Sequence, residues 1–241
     1  MDSNFRLYDN EASMKRLDEY LGGVAGSYEE KDSLPSADAL TYSNGYYANC
    51  AALFVDIRSS STLPSKYKRP TLARIYHAFI SETVAIVNAH PKARAVNIVG
   101  DCVWGTFNTP YKDDIDGVFQ CAYRTNSLLK ALRYKMEKIG MSTPIYAGIG
   151  MAWGRALMIK AGYNGSGIND VVYMGDVVNR AAKLASQGSK PWKPPLMVDD
   201  DFHLNLNEHN QGLLTRDWSL DCYSGQVVNS GMSEWYEENC T

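Results

Sequence analysis

The sequence predicts an α/β fold: an α+β sandwich of the ferredoxin-like, split βαβ kind, with one twisted sheet and helices largely on one face. Three observations support this prediction. An unbroken apolar run at 51–55 is typical of a strand that is covered on both faces. Two long segments, 66–90 and 113–139, have the apolar periodicity of helices. Between them, residues 93–110 form two β patterns around a Gly-Asp turn, which indicates a hairpin.

The composition limits the possible functions. The chain has 241 residues, of which 45% are hydrophobic, enough for one large domain with a real core. Its net charge is −3 and it has no basic run, which argues against broad binding to nucleic acid or to a membrane surface. We therefore expect no nucleic-acid partner and no membrane partner, although a small basic pocket is compatible with this charge.

The cysteines and the N-terminus both indicate a cytoplasmic protein. Five cysteines, an odd number without a CxxC motif, favour a reduced compartment and argue against a zinc site. The first residues, MDSNFRLYDNEAS, lack the basic-then-apolar build of a signal peptide. No apolar run approaches the roughly 20 residues of a membrane span.

Residues 1–44 are predicted to form an arm attached to a main domain at 45–241. Asn10 can cap a short helix that carries an apolar stripe and that ends at Gly22 and Gly23. The stripe consists of Met14, Leu17 and Leu21. Such a stripe needs a surface to cover, either the core of the chain itself or a partner subunit.

The predicted first strand ends on an acid and leads into a turn rich in hydroxyl groups. Asp56 follows the apolar run, and Arg58 and the hydroxyl residues at 59–62 come next. A carboxylate at a strand end, beside free backbone N–H groups, suits a metal ion that carries a polyphosphate. The alternative is a helix-capping turn with a solvated aspartate.

The elements after the hairpin and the second helix follow in order. Residues 144–153 predict a strand with glycines on alternate positions, which permit close backbone packing. Residues 162–167 predict a turn, because they lack the strand-before, helix-after setting of a phosphate loop. A strand at 171–176 leads into an amphipathic helix at 177–188. The remaining segments predict a strand at 194–200, a short helix at 200–207 and two short strands beyond Gly212.

Two carboxylates are expected to meet at the ends of neighbouring strands. Asp101 lies in the hairpin, which in a split βαβ sheet is next to the strand that ends at Asp56. Two such carboxylates can hold a pair of divalent cations about 3.5–4 Å apart. Taken alone, Asp101 would be an ordinary acid of a Gly-Asp turn. On the later helix, Asn179 and Lys183 are four residues apart and share one face.

Three motifs resemble those of the class III nucleotide cyclases and occur in the order found in that family. FVDIRSSS, at 54–61, resembles the first metal motif, F-x-D-I-x-G-F-T. NIVGDCVWGTF, at 97–107, resembles K-x-x-G-D-x-x-M-x-x-F. VYMGDVVNRAAKLAS, at 172–186, resembles G-(D/N)-x-V-N-x-A-(A/S)-R. The resemblance implies a homodimer, with sites at the subunit interface, that converts a nucleoside triphosphate to a 3′,5′-cyclic monophosphate and pyrophosphate.

The resemblance also implies two divalent metal ions per site, Mn²⁺ or Mg²⁺. Asp56 and Asp101 would bind both ions, with the carbonyl of Ile57 as a further ligand. One ion would lower the pKa of the ribose 3′-hydroxyl, and the other would neutralise the triphosphate.

The same resemblance assigns groups to the phosphates and the ribose. The backbone amides of five consecutive residues would hold the β- and γ-phosphates: Ile57, Arg58, Ser59, Ser60 and Ser61. Asn179, from the other subunit, would orient the ribose. Lys183 takes the place of the family's arginine, which stabilises charge on the transferring phosphoryl group. Lysine keeps that charge but lacks the bidentate fork of arginine.

The positions that read the base depart from both purine patterns. Purine cyclases place lysine and aspartate, or glutamate and often cysteine, where this chain has Asn97 and Val172. The Asn97 amide can both donate and accept, which suits the O2 and N3 edge of a pyrimidine. Val172, with Trp104 or Tyr47, could fill the space that a second ring would need. The chain has no clear counterpart of the C-terminal lysine that purine cyclases place on the triphosphate.

A narrower resemblance favours pyrimidine substrates. The segments YDNEASMKRLDEYL and YEEKDSLPSADALTYSNGYYANCAALFVDIRSSS are similar to the Pycsar pyrimidine cyclases of bacterial anti-phage defence. Those cyclases make cyclic UMP or cyclic CMP, which activates a separate effector protein. The resemblance therefore implies UTP or CTP as the substrate, and of these we favour UTP. The alternatives are a purine cyclase with an unusual pocket and a catalytically silent nucleotide-binding dimer, which would need neither Asp56 nor Asp101.

Overall fold

A computed structural model describes residues 3–23 and 28–240 of the chain. The strands are β1 (Tyr28–Lys31), β2 (Gly45–Ile57), β3 (Ala93–Val99), β4 (Cys102–Phe107), β5 (Ala147–Tyr163), β6 (Ile168–Met174), β7 (Leu196–Val198), β8 (Thr215–Asp217) and β9 (Cys222–Gly225). The helices are α1 (Asn10–Leu21), α2 (Leu63–Lys66), α3 (Arg69–Asn88), α4 (Lys112–Lys138), α5 (Asp176–Ala185), α6 (Asp200–Asn205), α7 (Glu208–Gly212) and α8 (Ser230–Asn239). Short 3₁₀ turns lie at Ala37–Ala39 and Ser60–Thr62.

The strands form one mixed sheet in the order β3-β4-β2-β5-β7-β9-β8, with β1 paired to β2 and β6 paired to β5. β2 lies at the centre, antiparallel to β4 on one side and to β5 on the other. Its register with β5 is unbroken from Gly45, opposite Ile159, to Ile57, opposite Ala147. The order β3, β4, β2, β5, with α3 and α4 as the connecting helices, is that of a split βαβ sheet, so the predicted fold class is confirmed.

Two apolar cores cover the two faces of this sheet. On one face, α3 and α4 pack against alternate residues of β2, such as Leu53 and Val55, which are fully buried. On the opposite face, here called the α5 face, α5 packs against the other alternate residues of β2, such as Ala52. Because side chains alternate along a strand, Phe54 and Asp56 also point to the α5 face. This double cover explains the unbroken apolar run in the sequence.

Two strands are longer than predicted. β2 begins at Gly45 and includes Asp56 and Ile57, because its whole length pairs with β5. The sequence prediction placed this strand at 51–56, ending on Asp56, so the structure adds six residues before it and Ile57 after it. β5 continues past Trp153 to Tyr163, because its second half pairs with β6. The predicted glycine-rich turn joins β5 to β6.

The helices largely agree with their predicted positions. α3 has Pro70 in its first turn, as predicted, and the short α2 before it was not predicted. α8 was also not predicted: Trp235 and Tyr236 lie on this helix, where the Tyr236 ring packs against Tyr134 of α4 at 5.7 Å. The two predicted tail strands are β8 and β9. None of the helices in the described ranges combines the length and the hydropathy that a membrane-spanning segment needs.

The N-terminal arm contacts the turn between β5 and β6. The Asn4 side chain donates to the carbonyl of Ser166 at 2.6 Å, and Arg6 donates to the carbonyl of Gly165 at 3.0 Å. These contacts hold the arm at the tip of a hairpin whose second strand leads into α5.

Helix α1 of the arm differs from the prediction at its first residue. Asp9, not Asn10, caps the helix, and its carboxylate accepts from the N–H of Ala12 at 3.0 Å. None of the α1 residues is buried, so its apolar stripe does not cover the core of this chain. A partner subunit as the cover stays a prediction.

The stretch that follows the arm is attached to the sheet. β1 pairs in parallel with the start of β2, and Leu34 and Leu40 are buried in the core of the α5 face. β1 was not predicted, because its sequence, YEEK, is fully exposed and has no apolar alternation. The boundary at residue 44 stays a prediction, and these contacts join residues 28–44 to the main domain.

Glycines let α5 lie directly on β5. At Gly150 an added Cβ would lie 2.2 Å from the carbonyl oxygen of Ala181, and at Gly148 it would lie 2.0 Å from that of Ala185. Both distances are far inside van der Waals contact, so only glycine permits this approach. The predicted close packing along this strand is therefore present. At Gly154 the added atom would lie 3.7 Å from its nearest neighbour, an ordinary contact.

We expect Gly150→Ala to lower the free energy of unfolding by about 1–3 kcal/mol, the usual cost of overpacking a core. The added methyl group would push α5 away from the sheet, since its close neighbours are backbone atoms. Gly154→Ala is the matched control: it adds the same group to the same strand and should lower stability by less than about 0.5 kcal/mol. Urea denaturation measures both values. Equal stabilities of the two variants would contradict the close packing of α5.

Candidate metal and phosphate site

Asp56 and Asp101 lie together at one end of the sheet. β2 and β4 are antiparallel with Val55 opposite Val103, so the next position along places Asp56 beside Cys102. Asp101 directly precedes Cys102, in the tight turn between β3 and β4. The structure thus brings together the two carboxylates that the sequence singled out, and it confirms the hairpin between them.

This end of the sheet carries negative charge that is not fully compensated. Burial raises the pKa of Asp56; Arg58 lowers it in part, and the charge of Asp101 raises it further. Burial, with the charges of both carboxylates, raises the pKa of the Cys102 thiol to about 12. Oδ2 of Asp101 is buried and has no hydrogen-bond partner in the described part of the chain. A buried carboxylate oxygen without a partner is costly unless a cation or a donor binds it.

This set of donors fits a divalent cation. Mg²⁺ and Mn²⁺ prefer carboxylate oxygens, and Asp101 supplies one that no described protein group uses. Residues 3–23 and 28–240 contain no group of three or more histidine, cysteine, aspartate or glutamate side chains that could hold a metal ion. A cation here would therefore take further ligands from the backbone, such as the carbonyl of Ile57, from water or from a bound phosphate.

The turn after β2 offers backbone amides to an anion. Ser59 is left-handed, with φ 55°, and a 3₁₀ turn follows it. The first amides of such a turn have no acceptor within it, and alternation of left- and right-handed residues makes a concave nest for anions. The amide of Arg58 was predicted wrongly as a phosphate donor, because it donates to the carbonyl of Tyr146 at 2.7 Å. The amides of Ser59, Ser60 and Ser61 remain candidates.

The Arg58 side chain is a feature that sequence reasoning missed. Its Nη2 forms an ion pair with Oδ2 of Asp56, and its Nη1 donates to the carbonyl of Ser186, the C-cap of α5, at 2.7 Å. Only 16% of the Arg58 side chain is exposed. The sequence signal that could have predicted the ion pair was an arginine two residues after an aspartate at the end of a strand. The second partner, 128 residues further along the chain, could not be identified without the fold.

Asn97 and Trp104 lie on strands next to β2. Asn97 on β3 is opposite Trp104 on β4, and the Trp104 ring stacks on Phe54 of β2 with the centroids 4.9 Å apart. Phe54 and Asp56 are two residues apart and share one face. The Asn97 side chain makes no hydrogen bond within the described ranges, so its amide is available to a ligand. Tyr47 lies seven residues before Phe54, about 23 Å away along the strand, and cannot share this pocket within one chain.

Val172, Asn179 and Lys183 form a second set at another place on the chain. Val172 of β6 pairs with Ile159 of β5, and three strands separate β6 from β3. Asn179 and Lys183 are exposed on α5, and their side chains make no hydrogen bond or ion pair with any described residue. One chain therefore does not unite Val172 with Asn97, and Lys183 makes no ion pair with either carboxylate in the described part of the chain.

Comparison with known proteins identifies two relatives that are similar over nearly the whole chain, while no protein-family model matches it. The chain is 44% identical to a uridylate cyclase from Gulbenkiania mobilis over 262 residues, which covers 99% of this chain and 100% of the relative. It is 34% identical to a uridylate cyclase from Treponema porcinum over 235 residues, which covers 95% of this chain and 80% of the relative.

Solved structures of class III cyclases have the same fold. The adenylyl cyclase CyaB from P. aeruginosa matches with a TM-score of 0.65 at 20% identity, over 78% of this chain and 97% of that chain. A class III adenylyl cyclase-like ATP-binding protein from Pseudomonas aeruginosa matches with a TM-score of 0.71 at 16% identity, over 93% of this chain and 49% of that chain. At these identities the similarity shows the fold alone.

Proposed function

This chain belongs to the uridylate cyclase family, and from that premise we propose that it converts UTP to 3′,5′-cyclic UMP and pyrophosphate. CTP is the less favoured substrate. In this phosphorus–oxygen lyase reaction the ribose 3′ oxygen attacks the α-phosphorus of the same nucleotide. The bond from that phosphorus to the oxygen that bridges it to the β-phosphate breaks, and pyrophosphate leaves.

The observation that carries this proposal is the carboxylate pair, Asp56 and Asp101, with a buried oxygen that no described protein group satisfies. This pair, with the Ile57 carbonyl, would hold two divalent cations per site, Mn²⁺ or Mg²⁺. When bound, such ions lower the pKa of the 3′-hydroxyl and neutralise the triphosphate. A silent nucleotide-binding homologue would need neither carboxylate, which argues against that alternative.

The other polar groups bind and orient the nucleotide. The amides of Ser59, Ser60 and Ser61 would hold the β- and γ-phosphates. Asn179 would orient the ribose, and Lys183 would neutralise charge on the transferring phosphoryl group. Because these two side chains are exposed and unpaired in one chain, we assign them to the site of a second copy. The active protein is then a two-fold homodimer with two equivalent sites at its interface.

Asn97 and Trp104 support a pyrimidine as the base. The free Asn97 amide can donate to O2 of uracil and accept from its N3–H. Trp104 is held against Phe54 and narrows the space beside that amide. Val172 of the second copy would close the pocket from the other side.

We also propose that the cyclic nucleotide is a second messenger in anti-phage defence and acts on a separate effector protein. The support is the resemblance of the N-terminal segments, 8–21 and 28–61, to the Pycsar pyrimidine cyclases.

An assay of all four radiolabelled nucleoside triphosphates with Mn²⁺ tests the substrate. We expect kcat/KM for UTP or CTP to exceed that for ATP and GTP by at least about 10-fold, or about 1.4 kcal/mol in transition-state binding. A pocket built for one polar edge rejects bases that leave its groups unpaired. Comparable kcat/KM values for ATP and UTP would refute the proposed preference for pyrimidines and would favour a purine cyclase.

Asn97→Ala should lower the ratio of kcat/KM for UTP to kcat/KM for ATP by a larger factor than it lowers affinity for the triphosphate. The substitution removes a contact to the base and leaves the residues that bind the phosphates unchanged. Asn49→Ala, an exposed asparagine of β2 away from the pocket, is the matched control and should leave the ratio unchanged.

A further inference from the structure

Arg58 places a protein cation on the carboxylate that the proposed function assigns to metal ions. Its guanidinium pairs with Oδ2 of Asp56 and is largely buried. The second nitrogen binds the carbonyl of Ser186, at the C-terminal end of α5, where a helix favours positive charge. The guanidinium therefore bridges the end of β2 and the end of α5.

This arrangement and a bound metal ion compete for the Asp56 carboxylate. Two divalent cations on Asp56 and Asp101 would lie within a few ångströms of the guanidinium, and like charges at that distance repel strongly in a partly buried site. The Arg58 contacts are also incomplete, because its Nε is buried and has no acceptor in the described part of the chain. Bound cations would therefore repel the guanidinium from Asp56, and its Nε–H is available to a new acceptor.

The nearest proposed anion lies on the adjacent turn. Arg58 directly precedes the left-handed Ser59 and the amides assigned to the β- and γ-phosphates. A guanidinium forms strong, often bidentate hydrogen bonds to phosphate.

We propose that Arg58 is an exchangeable counter-ion: it holds Asp56 in the empty site and moves to the triphosphate when the metal–nucleotide complex binds. This inference rests on the proposed function. It assigns to Arg58 two opposite effects, because the side chain competes with metal ions in the absence of nucleotide and supports substrate in its presence.

Mn²⁺ binding without nucleotide, followed by electron paramagnetic resonance of free Mn²⁺, is the first test. Arg58→Gln should tighten Mn²⁺ binding about 5-fold in Kd, since it removes a competing charge of ion-pair strength. In the same variant KM for UTP should rise about 10-fold, because a phosphate contact is lost. Unchanged or weaker Mn²⁺ binding in a folded Arg58→Gln protein would overturn the proposal.

Two control variants separate this effect from others. Arg74→Gln removes one charge from an exposed position of α3 and should change neither constant. Asp101→Asn should abolish the tight Mn²⁺ binding. If Asp101→Asn has no effect, the proposed metal site fails; if it abolishes binding while Arg58→Gln leaves the Kd unchanged, only the Arg58 exchange fails.

Amide hydrogen exchange of the last turn of α5 provides a further test. Release of Arg58 from Ser186 removes a contact that holds this turn, while bound nucleotide contacts Lys183 on the same helix in the proposed site. Arg58→Gln lacks the Ser186 contact in both states and therefore reports the effect of the nucleotide alone. Relative to that variant, exchange of residues 184–188 in the unaltered protein should become faster when saturating Mn²⁺ and a non-cleavable UTP analogue are added. An equal response in the two proteins would show that Arg58 keeps its contact, and the exchange proposal would be wrong.

Discussion

Asp101→Asn is expected to reduce cyclisation of UTP by at least about 1,000-fold while the protein stays folded. The substitution keeps the shape of the side chain and removes the charge that holds a cation. Oδ2 of Asp101 makes no hydrogen bond with any described residue, so the fold loses no contact with it. The same result is expected for Asp56→Asn. Initial rates of cyclic UMP formation with Mn²⁺ measure the effect.

Stability distinguishes a lost metal site from a lost fold. Burial raises the pKa of Asp56, and the Arg58 guanidinium, which pairs with this carboxylate, offsets part of that effect. Asp101→Asn removes no hydrogen bond of Oδ2 and should change the free energy of unfolding by less than about 0.5 kcal/mol, whereas Asp56→Asn also loses the ion pair with Arg58 and should lower it by about 1–3 kcal/mol. Asp113→Asn, at the exposed start of α4, is the control and should keep full activity. Turnover with Mn²⁺ that survives in either active-site variant would exclude the two-metal assignment.

A mixed dimer of one Asp56→Ala chain and one Asn179→Ala chain is expected to recover activity that both parent variants lack. Each site of the proposed homodimer takes its carboxylates from one chain and Asn179 from the other. The mixed dimer therefore has one intact site and one doubly altered site, so about half of its sites return. Purification through two different affinity tags, followed by the UTP assay, gives the value.

The matched control combines two substitutions that both remove a carboxylate of the metal site. A dimer of one Asp56→Ala chain and one Asp101→Ala chain has a damaged carboxylate pair in both sites, and it should stay inactive. Recovery in this pair as well as in the first would point to exchange or contamination with active chains. No recovery in the Asp56→Ala and Asn179→Ala pair would contradict sites shared between chains.

Periodic apolar patterns predicted most of the fold. The sequence predicted four elements: α3, α4, the β3–β4 hairpin and the buried part of β2. Each buries one or both faces, and the spacing of the apolar residues that face the core can be recognised in the sequence. The placement of Asp56 and Asp101 at the ends of neighbouring strands followed from the predicted hairpin. β1 and α8 were missed for the opposite reason: YEEK is exposed on all four residues, and no α8 residue is buried.

Contacts between distant segments could not be predicted from the sequence. The ion pair of Arg58 with Asp56 is local in the chain. The bridge that Arg58 forms from β2 to α5 also requires the carbonyl of Ser186, which only the packing of α5 on the sheet brings near. The roles of Trp104 and Tyr47 were interchangeable in the sequence. The strand register separates them, because Trp104 stacks on Phe54 while Tyr47 lies under Arg155.

The long pairing of β2 with β5 also affects how the protein is made. The two strands are about 90 residues apart in the chain, so the centre of the sheet closes a large loop, a step that slows folding. During synthesis the N-terminal half leaves the ribosome with β2 bare along one edge until Ala147–Tyr163 follows. Until then that apolar edge is open to pairing with other chains, so a delay between the two strands favours aggregation of the nascent protein.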